Sequence, residues 1–153
     1  MTATNIEVVR TFYDALSAGN GRDLFAKFAP AIDWREAEGF LYSDGNPYTT
    51  PEAVAEGVLG RISRDWESFA VRPQQMVAGG IDVVVLGRYT GVHRKTGRRL
   101  DVPVCHAWKV ERDQITAFRQ YVDTLVVQRS TYWPLATPWL RLDSASGIPM
   151  EHR

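Results

Sequence analysis

Cysteine is nearly missing from this 153-residue chain: Cys105 is the only one. No internal disulfide can form, and a two-cysteine metal motif is excluded. Histidine is almost as scarce, at three. His93 falls beside a predicted turn and His152 in the tail, so only His106 is well placed, and a metal centre needs several convergent ligands. Charge of one sign is absent too. Lys plus Arg and Asp plus Glu are equal at 18 each, so nothing in the charge draws the chain to nucleic acid or an anionic membrane. No apolar run approaches the roughly 18 residues of a membrane-spanning helix. The start, Met1-Thr2-Ala3-Thr4-Asn5-Ile6-Glu7, lacks the basic and apolar regions of a signal peptide, so a cytoplasmic location is the expectation. A phosphate-cradling glycine loop and a nucleotide fingerprint are likewise absent, and no cofactor is expected. The basic turn His93-Arg94-Lys95-Thr96-Gly97-Arg98-Arg99 has no interleaved aromatics on which bases would stack, and reads as a solvated hairpin tip.

What is present is ordinary for a single globular domain with a real core: 44% apolar and 24% charged residues. Thr4 and Glu7 form a capping-box pattern, and Ile6, Val9, Phe12, Tyr13 and Leu16 follow at helical spacing up to Gly19. Asn20 is placed to cap a short second helix with Leu24, Phe25 and Phe28, stopped by Pro30. Residues 32–36 alternate like a brief strand, and residues 37–49 are loop-like in their Gly, Asn and Pro content. Thr50-Pro51 opens a third helix striped by Val54, Val58 and Ile62. Beyond Phe69 the pattern changes to strands: residues 69–78 and 81–93 flank Gly79-Gly80, a hairpin signal, and residues 98–111 and 115–124 follow. Helices segregated from an antiparallel meander make an α+β domain. The expected architecture is a cone-shaped α+β barrel, cystatin-like, in which a curved, mainly antiparallel sheet and three N-terminal helices enclose a pocket.

The strands carry the chemistry. Alternation puts Arg119, Tyr121 and Asp123 on one face of the last strand, with Phe118, Gln120 and Val122 on the other. A cation, a phenol and a carboxylate together would be costly in a sealed apolar core unless paired, but in a pocket they could move protons and hold an oxyanion. His106 and Trp108 share a face of the preceding strand. If the two faces coincide, one site gains a carboxylate, an imidazole and an aromatic wall. Trp34 and Glu36 share a face of the short strand, where Glu36 would supply a second carboxylate. Tyr42 and Tyr48 lie in the long loop, suited to covering an entrance, and Tyr89 lies on the face of Gly87 and Gly91. Cys105 points away from His106, which argues against a Cys-His nucleophilic pair.

The element order and the ending Phe118-Arg119-Gln120-Tyr121-Val122-Asp123-Thr124 resemble the SnoaL-like polyketide cyclases and ketosteroid-isomerase-related proteins of the nuclear-transport-factor-2-like superfamily. So do Asp33-Trp34-Arg35-Glu36-Ala37-Glu38-Gly39-Phe40, Val84-Val85-Leu86-Gly87-Arg88-Tyr89 and His106-Ala107-Trp108-Lys109-Val110. The resemblance covers about residues 5–124. It implies acid/base roles for Asp123 and His106, while the full oxyanion-hole pattern of true ketosteroid isomerases is not evident. The superfold hosts isomerases, cyclases, dehydratases, epoxide hydrolases and binders, so the reaction has to be argued from the site.

The expectation is a cofactor-independent enzyme acting on a small apolar, carbonyl-bearing molecule by isomerisation or intramolecular cyclisation. Asp123 and His106 would be catalytic, with Tyr121, Arg119, Trp34, Glu36, Trp108, Tyr89 and Tyr42 around the substrate. Epoxide opening in the same pocket is one alternative, and a non-catalytic ligand-binding or assembly module is another. No nucleic-acid or membrane partner is expected, whereas a homodimer through the outer face of the sheet is, burying Phe118, Gln120 and Val122. Residues 1–124 form the expected domain. Residues 125–153, with Tyr132, Trp133, Pro134, Leu135, Pro138, Trp139 and Leu140, form an apolar and aromatic extension that packs on the domain or a partner subunit.

Overall fold

The computed structural model describes residues 3–132, 140–142 and 149–151. Helix α1 (Asn5–Ala18) begins at the capping box read from the sequence: Thr4 Oγ1 accepts from the Glu7 amide at 3.2 Å, and the Glu7 carboxylate accepts from the Thr4 amide at 2.8 Å. It ends at Gly19, whose φ of 67° is the left-handed turn that glycine adopts without steric cost. Between these ends Val8, Val9, Phe12, Tyr13 and Ala15 are buried.

Residues 21–27, expected as a second helix, form turns instead. Their bonds are of the three-residue type, Ala26 to Asp23 and Phe28 to Phe25. A stretch this short gains too few hydrogen bonds to offset helix nucleation. Strand β1 (Phe28–Arg35) follows, four residues earlier than expected, and tolerates Pro30 because it is an edge strand. After the loop, Thr50 caps α2 (Pro51–Val54) by accepting from the Ala53 amide, with Pro51 in the first turn. A π-helical turn (Ala55–Leu59) runs on into α3 (Gly60–Asp65). Within this turn Gly57 packs directly on Tyr48, where a Cβ would meet the ring at 2.3 Å.

Four long strands complete the sheet: β2 (Trp66–Gly79), β3 (Asp82–His93), β4 (Arg99–Glu111) and β5 (Gln114–Val122). The order is β1-β5-β4-β3-β2, with β1 parallel to β5 and every other pairing antiparallel. Helix α1 and the α2–π–α3 segment lie over the inner face of this curved sheet. Helix α4 (Thr124–Thr131) closes one end, with Val127 fully buried beside Tyr89, Val102 and Phe40. This helix was not anticipated; it ends before the proline-rich run that argued against helix. Strands β6 (Leu140–Leu142) and β7 (Pro149–Glu151) pair with each other. Trp133, Pro134, Leu135, Pro138 and Trp139 lie outside the described residues. No described helix is long and apolar enough to cross a membrane.

Candidate functional site

The site is set by the register of the last hairpin. Arg112 and Asp113 both have positive φ, 51° and 62°, forming a two-residue turn that sets Glu111 opposite Gln114 and Val110 opposite Ile115. Continued unchanged, that register would put Arg119 opposite His106. Instead Lys109 pairs with Ala117, leaving Thr116 as an extra residue, and from there Phe118 faces Trp108 and Gln120 faces His106. One bulged residue thus exchanges the two faces of β5. Phe118 and Gln120 are buried at 2% and 4% exposure, whereas Tyr121 is 56% exposed and Arg119 is also on the outside.

The placement of the polar trio on the pocket face is therefore corrected. Arg119 and Tyr121 line an outer cleft of about 680 Å³ with Arg35 and Asn46. Asp123 is exposed and caps α4, its carboxylate accepting from the Leu125 and Val126 amides at 3.1 and 3.3 Å. It is neither paired with Arg119 nor near His106. The dimer surface changes accordingly, since Phe118 and Gln120 belong to the interior.

Inside the cone, β4 alternates cleanly, with Val104, His106, Trp108 and Val110 all inward and buried. His106 is flanked by two phenols. Its Nδ1 is 2.6 Å from the Tyr13 hydroxyl and its Nε2 is 2.5 Å from the Tyr89 hydroxyl. Trp108 Nε1 donates to the Tyr13 oxygen at 2.9 Å, and Gln120 Nε2 donates to the Tyr89 oxygen, also at 2.9 Å. Burial without a carboxylate partner pushes the imidazole down to about 3, so it is neutral at physiological pH. Burial likewise drives both phenols well above their ordinary value. A neutral ring has one N–H and one lone pair, so one tyrosine donates to it and the other accepts from it.

Glu36 is the second unusual group. Its backbone is clamped by Asn46, whose Oδ1 accepts from the Glu36 amide and whose Nδ2 donates to the Glu36 carbonyl, both at 2.8 Å. The next amide, of Ala37, donates to Gln120 Oε1 at 3.1 Å. These bonds hold Glu36 at 4% exposure, where its Oε2 has no hydrogen-bond partner among the described residues. Burial raises the carboxyl to about 8. The nearby indole N–H of Trp34 favours the ionised form, but by less, and the pair does not reach hydrogen-bonding geometry.

Glu36, Trp34, Tyr89, His106, Gln120 and Phe118 line one cavity. The space open to the centre of a water molecule is only about 30 Å³ there, enough for a water or two. Trp34 forms its wall, stacked on Phe118 with ring centroids 3.8 Å apart. Trp108 stands behind His106 as a support for Tyr13. Tyr42 and Tyr48 do not line the cavity. The Tyr42 hydroxyl donates to Asp65 and accepts from Trp66 Nε1, tying the loop to the end of α3, while Tyr48 donates to the Tyr42 carbonyl at 2.6 Å. Tyr13 and Gln120 were not singled out from sequence. Gln120 was detectable as the one polar residue between Phe118 and Val122 on an otherwise apolar face; Tyr13 gave no signal beyond its helical spacing. Among the described residues, no three His, Cys, Asp or Glu side chains converge into a metal-binding group.

Residues 9–118 match the family model of the SnoaL-like domain. An NTF2-like protein from Burkholderia thailandensis is 28% identical, with a TM-score of 0.82, covering 86% of this chain and 99% of its own. One from Burkholderia xenovorans is 29% identical at a TM-score of 0.72, covering 84% and 95%. A candidate SnoaL-like polyketide cyclase from Jannaschia is 18% identical at a TM-score of 0.71, covering 88% and 99%. No curated protein sequence matches significantly.

Proposed function

The chain belongs to the SnoaL-like domain family, and on that premise we propose that it is a cofactor-independent acid/base enzyme of the isomerase or cyclase type. The substrate is a small, apolar, carbonyl-bearing molecule. The carrying observation is that an unpaired, buried carboxyl, Glu36, opens onto the same cavity as the Tyr89–His106–Tyr13 chain. A carboxyl near 8 is a base of useful strength at neutral pH, because proton transfer is most effective when donor and acceptor values lie near the working pH.

Tyr89 supplies the complementary group. Two phenols and one neutral imidazole carry three protons, and the two bonds to His106 use two of them. The third belongs to whichever tyrosine accepts from the ring. Tyr89 lines the cavity and is within electrostatic reach of Glu36, whereas Tyr13 is not among the cavity-lining residues. Assigning Nε2–H to His106 makes Tyr89 that acceptor and frees its own O–H for a substrate carbonyl oxygen. Glu36 then removes a proton beside that carbonyl while Tyr89, backed by His106 and Gln120, stabilises the enolate oxygen. Return of the proton elsewhere gives isomerisation; attack of the enolate carbon on a second carbonyl of the same molecule, whose C=O π bond breaks and whose oxygen takes the proton from Glu36, gives cyclisation.

The experiment is hydrogen–deuterium exchange at the α-carbon of a cyclic ketone, followed by NMR. The parent is expected to catalyse exchange, and Glu36→Gln to lower it by about two to four orders of magnitude, the usual scale of such catalysis. Equal exchange by the two proteins would remove Glu36 from the chemistry. The small void favours two other readings: a non-catalytic binding module with a filled cone, or epoxide opening by one water held near Glu36 and Tyr89. Absence of exchange by the parent would support the first, and ¹⁸O incorporation from labelled water into a diol the second.

A further inference from the structure

A cavity of about 30 Å³ cannot hold a substrate, yet immediately outside it lies a groove of about 420 Å³. The two spaces share their partition. Leu16 of α1, Leu59 of the π-turn, Ile62 of α3, and Phe69 and Val71 of β2 line both. Each of these five side chains is half-buried, one side toward the inner void and the other toward the groove. None makes a hydrogen bond through its side chain, so the partition is held by apolar contact alone, and displacing it breaks no polar pair.

The backbone behind this partition is irregular on both sides. Leu59 ends the π-helical turn, a local widening that recurs at functional sites. Phe69 lies in the bulge between Glu67 and Ala70, where Ser68 takes a φ of 58°. Gly91 on β3 leaves room under it: a Cβ there would come within 3.3 Å of the Phe69 ring. Besides the partition, the groove is lined by Trp66 and Ala70 and by the polar Ser17, Ser63, Ser68 and Arg94. Arg94 is exposed and is in no ion pair among the described residues, and its guanidinium makes one long, 3.5 Å bond, to the Ser63 carbonyl. The neighbouring carboxylate of Asp65 is already engaged by Arg64 and Tyr42.

We infer that the groove and the inner cavity are two halves of one site for an elongated apolar molecule with a carbonyl head and a carboxylate at the far end. The head passes between Leu59, Ile62 and Phe69 to reach Glu36 and Tyr89. The body replaces the contacts of the displaced partition and buries apolar surface in the groove. The carboxylate meets the Arg94 guanidinium, the residue type suited to a planar anion. This deepens the acid/base reading by naming the substrate class and rests on it for the role of the head group.

Binding of dodecanoate and dodecanol to the full chain, by calorimetry and by tryptophan fluorescence, tests the inference. The parent should bind both saturably, and Arg94→Gln should weaken dodecanoate about tenfold while leaving dodecanol within about twofold. Ile62→Trp, which fills the passage, should abolish both. An equal loss of both ligands in Arg94→Gln, or no dodecanoate binding by a folded parent, overturns the inference. Ketone exchange by a parent that ignores dodecanoate would sink the groove and leave the acid/base reading standing. Binding without exchange would do the reverse.

Discussion

Gln120 and Tyr89 are joined across the inner face of the sheet by a 2.9 Å hydrogen bond from the amide Nε2 to the phenol oxygen. The other end of the same amide, Oε1, is fixed by the Ala37 amide one residue beyond Glu36. This settles which way the amide points and leaves the Tyr89 oxygen accepting from Gln120. One side chain thereby ties the Tyr89 oxygen to the backbone beside Glu36.

The first prediction concerns the proton on His106. With Tyr89 accepting and Tyr13 donating, the ring should be the Nε2–H tautomer and stay neutral from pH 8 down to about 4, since its value is about 3. Long-range ¹⁵N–¹H NMR reads both nitrogens directly. A signal with the proton on Nδ1, or titration between pH 6 and 7, would refute the assignment. Tyr89→Phe should lower exchange by about two orders of magnitude, the scale of losing one oxyanion donor.

Stability against pH gives the second. Glu36 has a folded value of about 8 against an ordinary 4.5, so its contribution is complete below 4.5 and is lost as pH rises toward 8. His106, at about 3 against 6.5, contributes fully above 6.5, and its contribution is lost as pH falls toward 3. Between 4.5 and 6.5 the two slopes oppose each other. Of these two groups only Glu36 titrates from 6.5 to 8, and its part of the stability should fall by roughly 1.4 kcal/mol per pH unit. Urea unfolding of Glu36→Gln over that range should lack this fall. A slope identical to that of the parent would show that Glu36 is not held neutral.

Much of this was readable in advance, and the rest has physical reasons. The α1 cap, a hairpin at Gly79-Gly80 (its turn falls one residue later, on Gly80 and Ile81) and the shared face of His106 and Trp108 follow from local rules of capping, turn chemistry and alternation. That Trp34 and Glu36 share a face was legible for the same reason, whereas the direction in which Glu36 points was not. Asp123 was misplaced because a bulge is a property of two paired strands, and one strand's alternation does not reveal it. The burial of Glu36 was equally hidden, since it depends on Asn46 and Gln120, residues 10 and 84 positions away.

The third prediction tests that bulge. Inserting one alanine after Thr116, with a one-residue bulge kept, would slide the later residues by one, bringing Arg119 opposite His106 and turning Phe118 and Gln120 outward. An unpaired buried guanidinium costs several kcal/mol, so the variant should lose cooperative unfolding. Thr116→Ala keeps the residue count and should unfold like the parent. An insertion variant with a melting temperature near that of the parent would mean that the bulge does not fix the register.

Asp123→Ala is the fourth. Loss of the α4 cap should cost about 1 kcal/mol of stability, with Asp123→Asn recovering most of it. Ketone exchange per folded molecule should not change, because the carboxylate is outside the cavity. A hundredfold loss of exchange in a folded Asp123→Ala protein would return Asp123 to the chemistry.

The fifth concerns the outer face of the sheet. Leu86, Cys105 and Tyr121 form one cross-strand row there, since Leu86 pairs with Cys105 and Cys105 with Tyr121. Leu86 and Tyr121 are 41% and 56% exposed. Large side chains left open in the middle of a sheet mark a surface that gains by being covered. We propose that two copies of the chain pack through this row. Light scattering at micromolar concentration should then give twice 17.3 kDa, and Leu86→Glu, which sets two carboxylates against each other across a two-fold axis, should halve that mass without unfolding the protein. A parent that scatters as a monomer would leave Leu86 and Tyr121 as ordinary exposed side chains and end the dimer proposal.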